Sequence, residues 1–273
     1  MEFTMGRALN YTNLLASLLL VFLFSVNLGA QSWTLVDSIA TLTPSSVAVD
    51  LSGRIYFSTS EGGILQFSEA GDSLRAFQPS GQEPPDLFTW QMLRTQAYFP
   101  FQQSLLIIDQ NLNEVSHVTL PETVLGNAFL GADQHVWYVN SERLLIKYNP
   151  VLDQTVLSTS LQWYLQPSSI ILSLHEYQNR LYIQFSQQVI ILDLYGNYLS
   201  KLSIETEKPV RFLKNNLYFT DSEKIELVGL YDNEIKEMLL PNNVSPDHLL
   251  LTENFLHIFR NNYWYRYQKQ TLP

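Results

Sequence analysis

The chain has 273 residues, 46% of them apolar and only 15% charged, with a formal net charge of −10. That balance builds a packed core and excludes wholesale disorder, and the acidic excess argues against nucleic acid and anionic membrane surfaces as partners. No cysteine is present, which removes disulfides, thiolate metal sites and a cysteine nucleophile.

The first predicted element is a secretory signal over residues 1–30. Arg7 is the only basic residue there, and the 13-residue uncharged run Leu14–Val26 follows it, ending in the small residues of "NLGA". A positive start, an apolar stretch and a small-residue site make the pattern, with cleavage expected after Ala30. The alternative is an uncleaved anchor helix, for which the run is short against the ~20 residues of a full span. The expected location is periplasmic or extracellular, membrane-tethered if the segment is retained. Nothing after Gln31 is long and apolar enough for a second span.

Next comes one spare strand, "WTLVDSIATL", Trp33–Leu42. It is followed by a module of four strands: "SVAVD", "RIYFST", "ILQFSEAGD" and "SLRAF", between Ser46 and Phe77. Its third strand and turn recur as "LLIIDQNLN" at Leu105, "LLIKYNPVLD" at Leu144, "VIILDLYGN" at Val189 and "IELVGLYDN" at Ile225. The starts lie 41, 39, 45 and 36 residues apart, counting from Ile64. Each is a short apolar run ending in a Gly/Asn/Asp turn, as a strand entering a hairpin does. The second strand recurs in phase as "QAYFPF" (Gln96–Phe101), "HVWYVN" (His135–Asn140), "RLYIQF" (Arg180–Phe185), "NLYFTD" (Asn216–Asp221) and "FLHIFR" (Phe255–Arg260).

Four strands in about 40 residues, repeated six times, predict an all-β, six-bladed propeller. The blades are expected at 45–78, 86–121, 127–161, 169–205, 209–240 and 248–268. The sixth has only three strands, so the N-terminal strand 33–42 should complete it and close the ring. A stacked β-solenoid or a pair of sandwiches is the alternative, and either leaves the spare strand unexplained.

Pro44–Leu74, "PSSVAVDLSGRIYFSTSEGGILQFSEAGDSL", resembles an NHL repeat. Glu61-Gly62-Gly63 stands where that family usually places an Asn-x-Arg step. The other five units match by strand pattern only. The resemblance implies the broad six-bladed, TolB-like group, which includes protein-binding, ligand-sensing and hydrolytic members.

Propeller ligands usually meet the face built from interblade loops and from the loops between second and third strands. Glu61, Asn140 and Asp221 fall there, as do Trp163 and Tyr164 in "LQWYLQPSS"; Trp264 stands in "NNYWYRY". Exposed Trp and Tyr are favourable binding anchors, with ordinary blade packing as the alternative for Trp163 and Trp264. The expected binding residues are therefore Glu61, Trp163, Tyr164, Asp221 and Trp264. Calcium needs six to eight oxygen ligands drawn from several blades, and Glu61, Asn140 and Asp221 are its candidates. None of the five histidines has metal-like spacing, no G-x-S-x-G occurs, and "EGG" is too short for a phosphate loop.

The sequence thus points to a non-catalytic exported propeller without a cofactor, binding a protein or ligand of the cell envelope. The partner is expected to be another envelope or extracellular protein. The alternative is a calcium-dependent hydrolase or lactonase, resembling the paraoxonase or gluconolactonase type, with carboxylates at the channel mouth. A sugar binder using the aromatics is a third reading.

Overall fold

The computed structural model describes residues 33–80, 83–90, 94–164, 169–221, 223–241 and 245–270. The expected signal segment, 1–30, lies outside them. Among the described residues no helix is long and apolar enough to cross a membrane.

The chain opens with strand Trp33–Ala40 (β1). The first blade is Ser46–Val49 (β2), Ile55–Ser58 (β3), Ile64–Phe67 (β4) and Ser73–Phe77 (β5). The second is Asp86–Trp90 (β6), Arg94–Phe99 (β7), Ser104–Ile108 (β8) and Glu114–Thr119 (β9). The third is Val124–Leu130 (β10), Val136–Asn140 (β11), Leu144–Asn149 (β12) and Gln154–Ser160 (β13). The fourth is Ile171–Tyr177 (β14), Arg180–Phe185 (β15), Gln188–Asp193 (β16) and Tyr198–Ser203 (β17). The fifth is Arg211–Leu213 (β18), Asn216–Thr220 (β19), Lys224–Gly229 (β20) and Ile235–Leu239 (β21). The sixth supplies His248–Leu251 (β22), Phe255–Arg260 (β23) and Tyr263–Lys269 (β24).

Each blade is an antiparallel meander, and β1 adds to β24 as the outer strand of the sixth. Their register runs from Trp33 opposite Lys269 to Ala40 opposite Tyr263. The strand ends two residues before the expected Leu42, although the Thr41 amide still donates to the Asn262 carbonyl at 2.9 Å. Arg266 fastens this seam. Its guanidinium donates twice to the Asp37 carboxylate, at 3.2 and 2.7 Å, and once to the Glu69 carbonyl of the first blade at 2.8 Å.

The strand patterns follow from being stacked radially. β3 and β11 are buried at every residue. Neighbouring blades cover both faces of each sheet, so its middle strands read as unbroken apolar runs instead of alternating ones. The fourth strands form the outer edge. Ser73–Ala76 and Glu114–His117 are exposed throughout, and charges such as Arg75, Lys201 and Lys236 keep these edges from pairing with other chains. The hairpin turns are closed by Asx bonds. Asp109 Oδ1 accepts from the amides of Asn111 and Asn113, and Asp193 Oδ1 from those of Tyr195 and Asn197. The side-chain bond from Asn113 holds the Asp109 carboxyl below its usual range. Gly196, beside that second turn, has φ +79°, and a Cβ there would lie 2.6 Å from Thr159 Oγ1.

The apolar side chains collect in six clusters, each filling the cleft between two adjacent blades. The cluster of Val47, Ile55 and Phe57 with Leu250, Phe259 and Trp264 joins the first blade to the sixth. A solenoid would leave that cleft open to water. The architecture is a closed six-bladed propeller.

Candidate functional site

The innermost strands β2, β6, β10, β14, β18 and β22 run in the same sense, so the ring has two unlike rims. The upper rim holds the interblade loops and the loops between second and third strands. The lower rim holds the other hairpin turns.

Most of the expected site residues do fall on the upper rim, but they are not gathered there. Glu61 is exposed in the β3–β4 loop of the first blade, where its carbonyl accepts from Gln78 Nε2 at 3.1 Å. Asp221, in the fifth blade, spends Oδ1 on the amides of Glu223 and Lys224 at 2.8 and 2.9 Å. Asn140, in the third, is buried, with Oδ1 accepting from the amides of Glu142 and Leu144 and Nδ2 donating to Glu122. Two of the three calcium candidates therefore shape their own turns. Among the described residues no three His, Asp or Glu side chains are grouped to hold a metal ion.

The two aromatic clusters part company. Trp163 is 90% exposed, on a single 3-10 turn, Gln162–Tyr164, between β13 and β14. Tyr164 anchors that turn. Its ring stacks on Tyr198 with centroids 5.1 Å apart, and its carbonyl accepts from Gln188 Nε2 at 3.1 Å. Trp264 corrects the expectation: it is 0% exposed and cannot meet a partner. Its register opposite Ile39 on β1 and Phe259 on β23 turns it into the cleft against the first blade.

Sequence reasoning missed Phe101, which is also 90% exposed on this rim. "QAYFPF" reads as one strand, but β7 stops at Phe99, because Pro100 has no amide for the ladder. The Phe101 and Gln102 amides instead donate to the Glu83 carboxylate, both at 3.1 Å.

The larger cavity lies elsewhere than expected. It is about 400 Å³ and opens at the lower rim, among the turns Asp50–Gly53 and Thr252–Asn254. The innermost strands of five blades line it, through residues that include Leu87, Phe88, His175, Arg211 and Phe212. A smaller cavity of about 150 Å³, lined by Lys208, Asp247 and His248, shares Arg211 and Tyr218 with it. The His175 ring sits edge-on between Phe88 and Phe212, at centroid distances of 5.3 and 5.7 Å. Burial pushes His175 down to about 3, with the nearby Arg211 charge adding to the effect.

No family model matches the chain, and no curated protein matches it. Many solved structures do. BamB from Moraxella catarrhalis is 9% identical at a TM-score of 0.54, covering 89% of this chain and 99% of that one. Virginiamycin B lyase from Staphylococcus aureus is 9% identical at 0.53, covering 87% and 99%. PorZ of Porphyromonas gingivalis, described as an essential bacterial surface component of the type-IX secretion system, is 12% identical at 0.58, covering 84% of this chain and 32% of that one. At such identities the likeness shows the propeller fold alone.

Proposed function

We propose that this chain is an exported, non-catalytic propeller that docks another envelope or extracellular protein on its upper rim. The observation that carries the reading is Trp163, almost fully exposed on a turn that Tyr164 and Gln188 hold rigid. A large aromatic ring offers much area to desolvate for few rotatable bonds, which makes it a favourable anchor. Phe101 gives the same rim a second exposed aromatic. The apolar run Leu14–Val26 supports export. PorZ, a surface component built on a similar fold, supports an envelope role, while the lyase shows that the fold also carries chemistry. The calcium-dependent reading has less behind it, since Asn140 spends its one side-chain oxygen, and Asp221 one of its two, on turn amides.

The test is quantitative affinity purification of the full chain from its native cells, against the variant carrying both Trp163→Ala and Phe101→Ala. Loss of a central aromatic costs about 2 kcal/mol or more, roughly 30-fold in affinity. The double variant should lose its specific partner while melting at the same temperature as the parent. An unchanged partner set would refute docking on this rim.

A further inference from the structure

We propose that the central channel is a second binding site, for a small monocarboxylic acid with an aromatic or apolar body. Its carboxylate sits on Arg211 and its body between Phe88 and Phe212. The site is separate from the upper rim, and either reading can fail without the other.

Arg211 carries the inference. It begins β18, opposite Tyr218, and lines both cavities at their junction. It is half-buried and borders both of these spaces. Among the described residues its guanidinium makes no hydrogen bond and no ion pair. Arginine remains charged in such surroundings, and a half-buried charge with no protein partner is available to an anion. A chain with net charge −10 has carboxylates to spare, yet none is placed on it.

The other charged groups lining the larger cavity are occupied. Asp50 accepts from the Ser52 amide and hydroxyl, the Arg54 amide and the Tyr56 hydroxyl. Glu69 accepts from the Thr252 hydroxyl, Glu176 from the Ala132 amide, and Glu253 pairs with Lys214 at 2.9 Å. Lys208 donates to the Pro246 carbonyl, and the His248 ring meets the Pro44 carbonyl at 2.9 Å. Near Arg211, His175 is also incomplete: its Nε2 is buried with no partner, in a ring that lines the same cavity. Two unpartnered polar side chains on one wall of a 400 Å³ space mark a site shaped for something with complementary atoms.

The chemistry follows from the charges. The planar guanidinium matches a carboxylate with two parallel bonds. A phosphate dianion would need more than one free cation, and Lys208 and Lys214 are already engaged. The aromatic wall of Phe88, His175 and Phe212, extended by Tyr177 stacked on Phe212 at 4.5 Å, takes a flat apolar body. Such a carboxylate could belong to a free organic acid or to the C-terminus of a peptide, and the test separates these.

The full chain is titrated calorimetrically with 3-phenylpropanoate, 3-phenylpropan-1-ol, inorganic phosphate, and a tetrapeptide ending in Phe as free acid and as amide. 3-Phenylpropanoate or the peptide acid should bind at least tenfold tighter than its uncharged counterpart and than phosphate. Binding of the small acid assigns a metabolite site, and binding of the peptide acid alone assigns a chain terminus. Arg211→Met should lose at least tenfold in carboxylate affinity and yet melt higher than the parent, since it removes an uncompensated charge. A purely structural arginine would give the opposite shift in melting. No binding of either acid, binding of alcohol or phosphate as tight as that of acid, or full affinity in Arg211→Met would each overturn the proposal. The acid-to-alcohol comparison needs no variant to fold.

Discussion

Trp264→Ala is expected to destabilise the protein by about 3–5 kcal/mol, the usual cost of emptying a buried aromatic position. For a domain near this size each kcal/mol shifts the melting temperature by about 2–4 °C, so the variant should melt roughly 10 °C below the parent. The reason is where the ring sits. Trp264 packs against Phe57, Phe67 and Phe259 with centroids 5.5, 5.7 and 5.6 Å away, in the one cleft that joins the last blade to the first. Its Nε1 also donates to His257 Nδ1 at 3.1 Å. Alanine leaves a cavity and strips His257 of this bond, while its Nε2 already has no partner. Both terms fall on the seam of the ring. Thermal melts of the two proteins check this; a variant melting within about 2 °C of the parent would show that the cleft is not packed as described.

Acid should destabilise the protein well above the carboxylate range. His175 and His257 are both pushed down to about 3 from an ordinary 6.5, first by burial and then by Arg211 and Arg266 respectively. In the unfolded chain each takes a proton as pH falls below about 6.5, whereas in the folded chain neither does until about 3. The unfolded state therefore binds more protons across that window, and stability drops as pH is lowered. Each histidine contributes about 1.4 kcal/mol per pH unit, so the pair removes roughly 3 kcal/mol between pH 6 and pH 5. His248, lowered mainly by burial, acts in the same direction. The geometry agrees for His257, whose Nδ1 must be unprotonated to accept the Trp264 bond. Against a total of about 5–15 kcal/mol this is a large share. Urea midpoints at pH 7, 6 and 5 check it. Midpoints that stay level across that range would contradict buried neutral histidines.

Much of the ring was legible in the chain. Turns such as "DQNLN" and "DLYGN" announce their hairpins because aspartate caps the two amides of the turn from within. The latch could be counted: three strands at one end, one at the other. Exposure was harder to read. In most sheets alternation separates an inner face from an outer one, but here both faces of a blade are covered, so Trp264 and Trp163 look alike in sequence. One lies in a cleft and the other on a loop. Phe101 was hidden by treating Pro100 as part of a strand. Arg211 left a trace, as a lone cation in the apolar run "PVRFL". Its lack of a partner depends on residues from five blades and is a property of the assembled ring only.

Both rims and the channel exist only if the N-terminal strand closes the circle. Thr34 and Gln268 are exposed and directly opposite one another across that seam. The chain has no other cysteine, so Thr34→Cys with Gln268→Cys allows a single intramolecular disulfide. Mild oxidation of the folded protein should form it in nearly every molecule, seen as faster migration on a non-reducing gel. Folded protein that keeps both thiols free, or that links only between molecules, would contradict the closed ring.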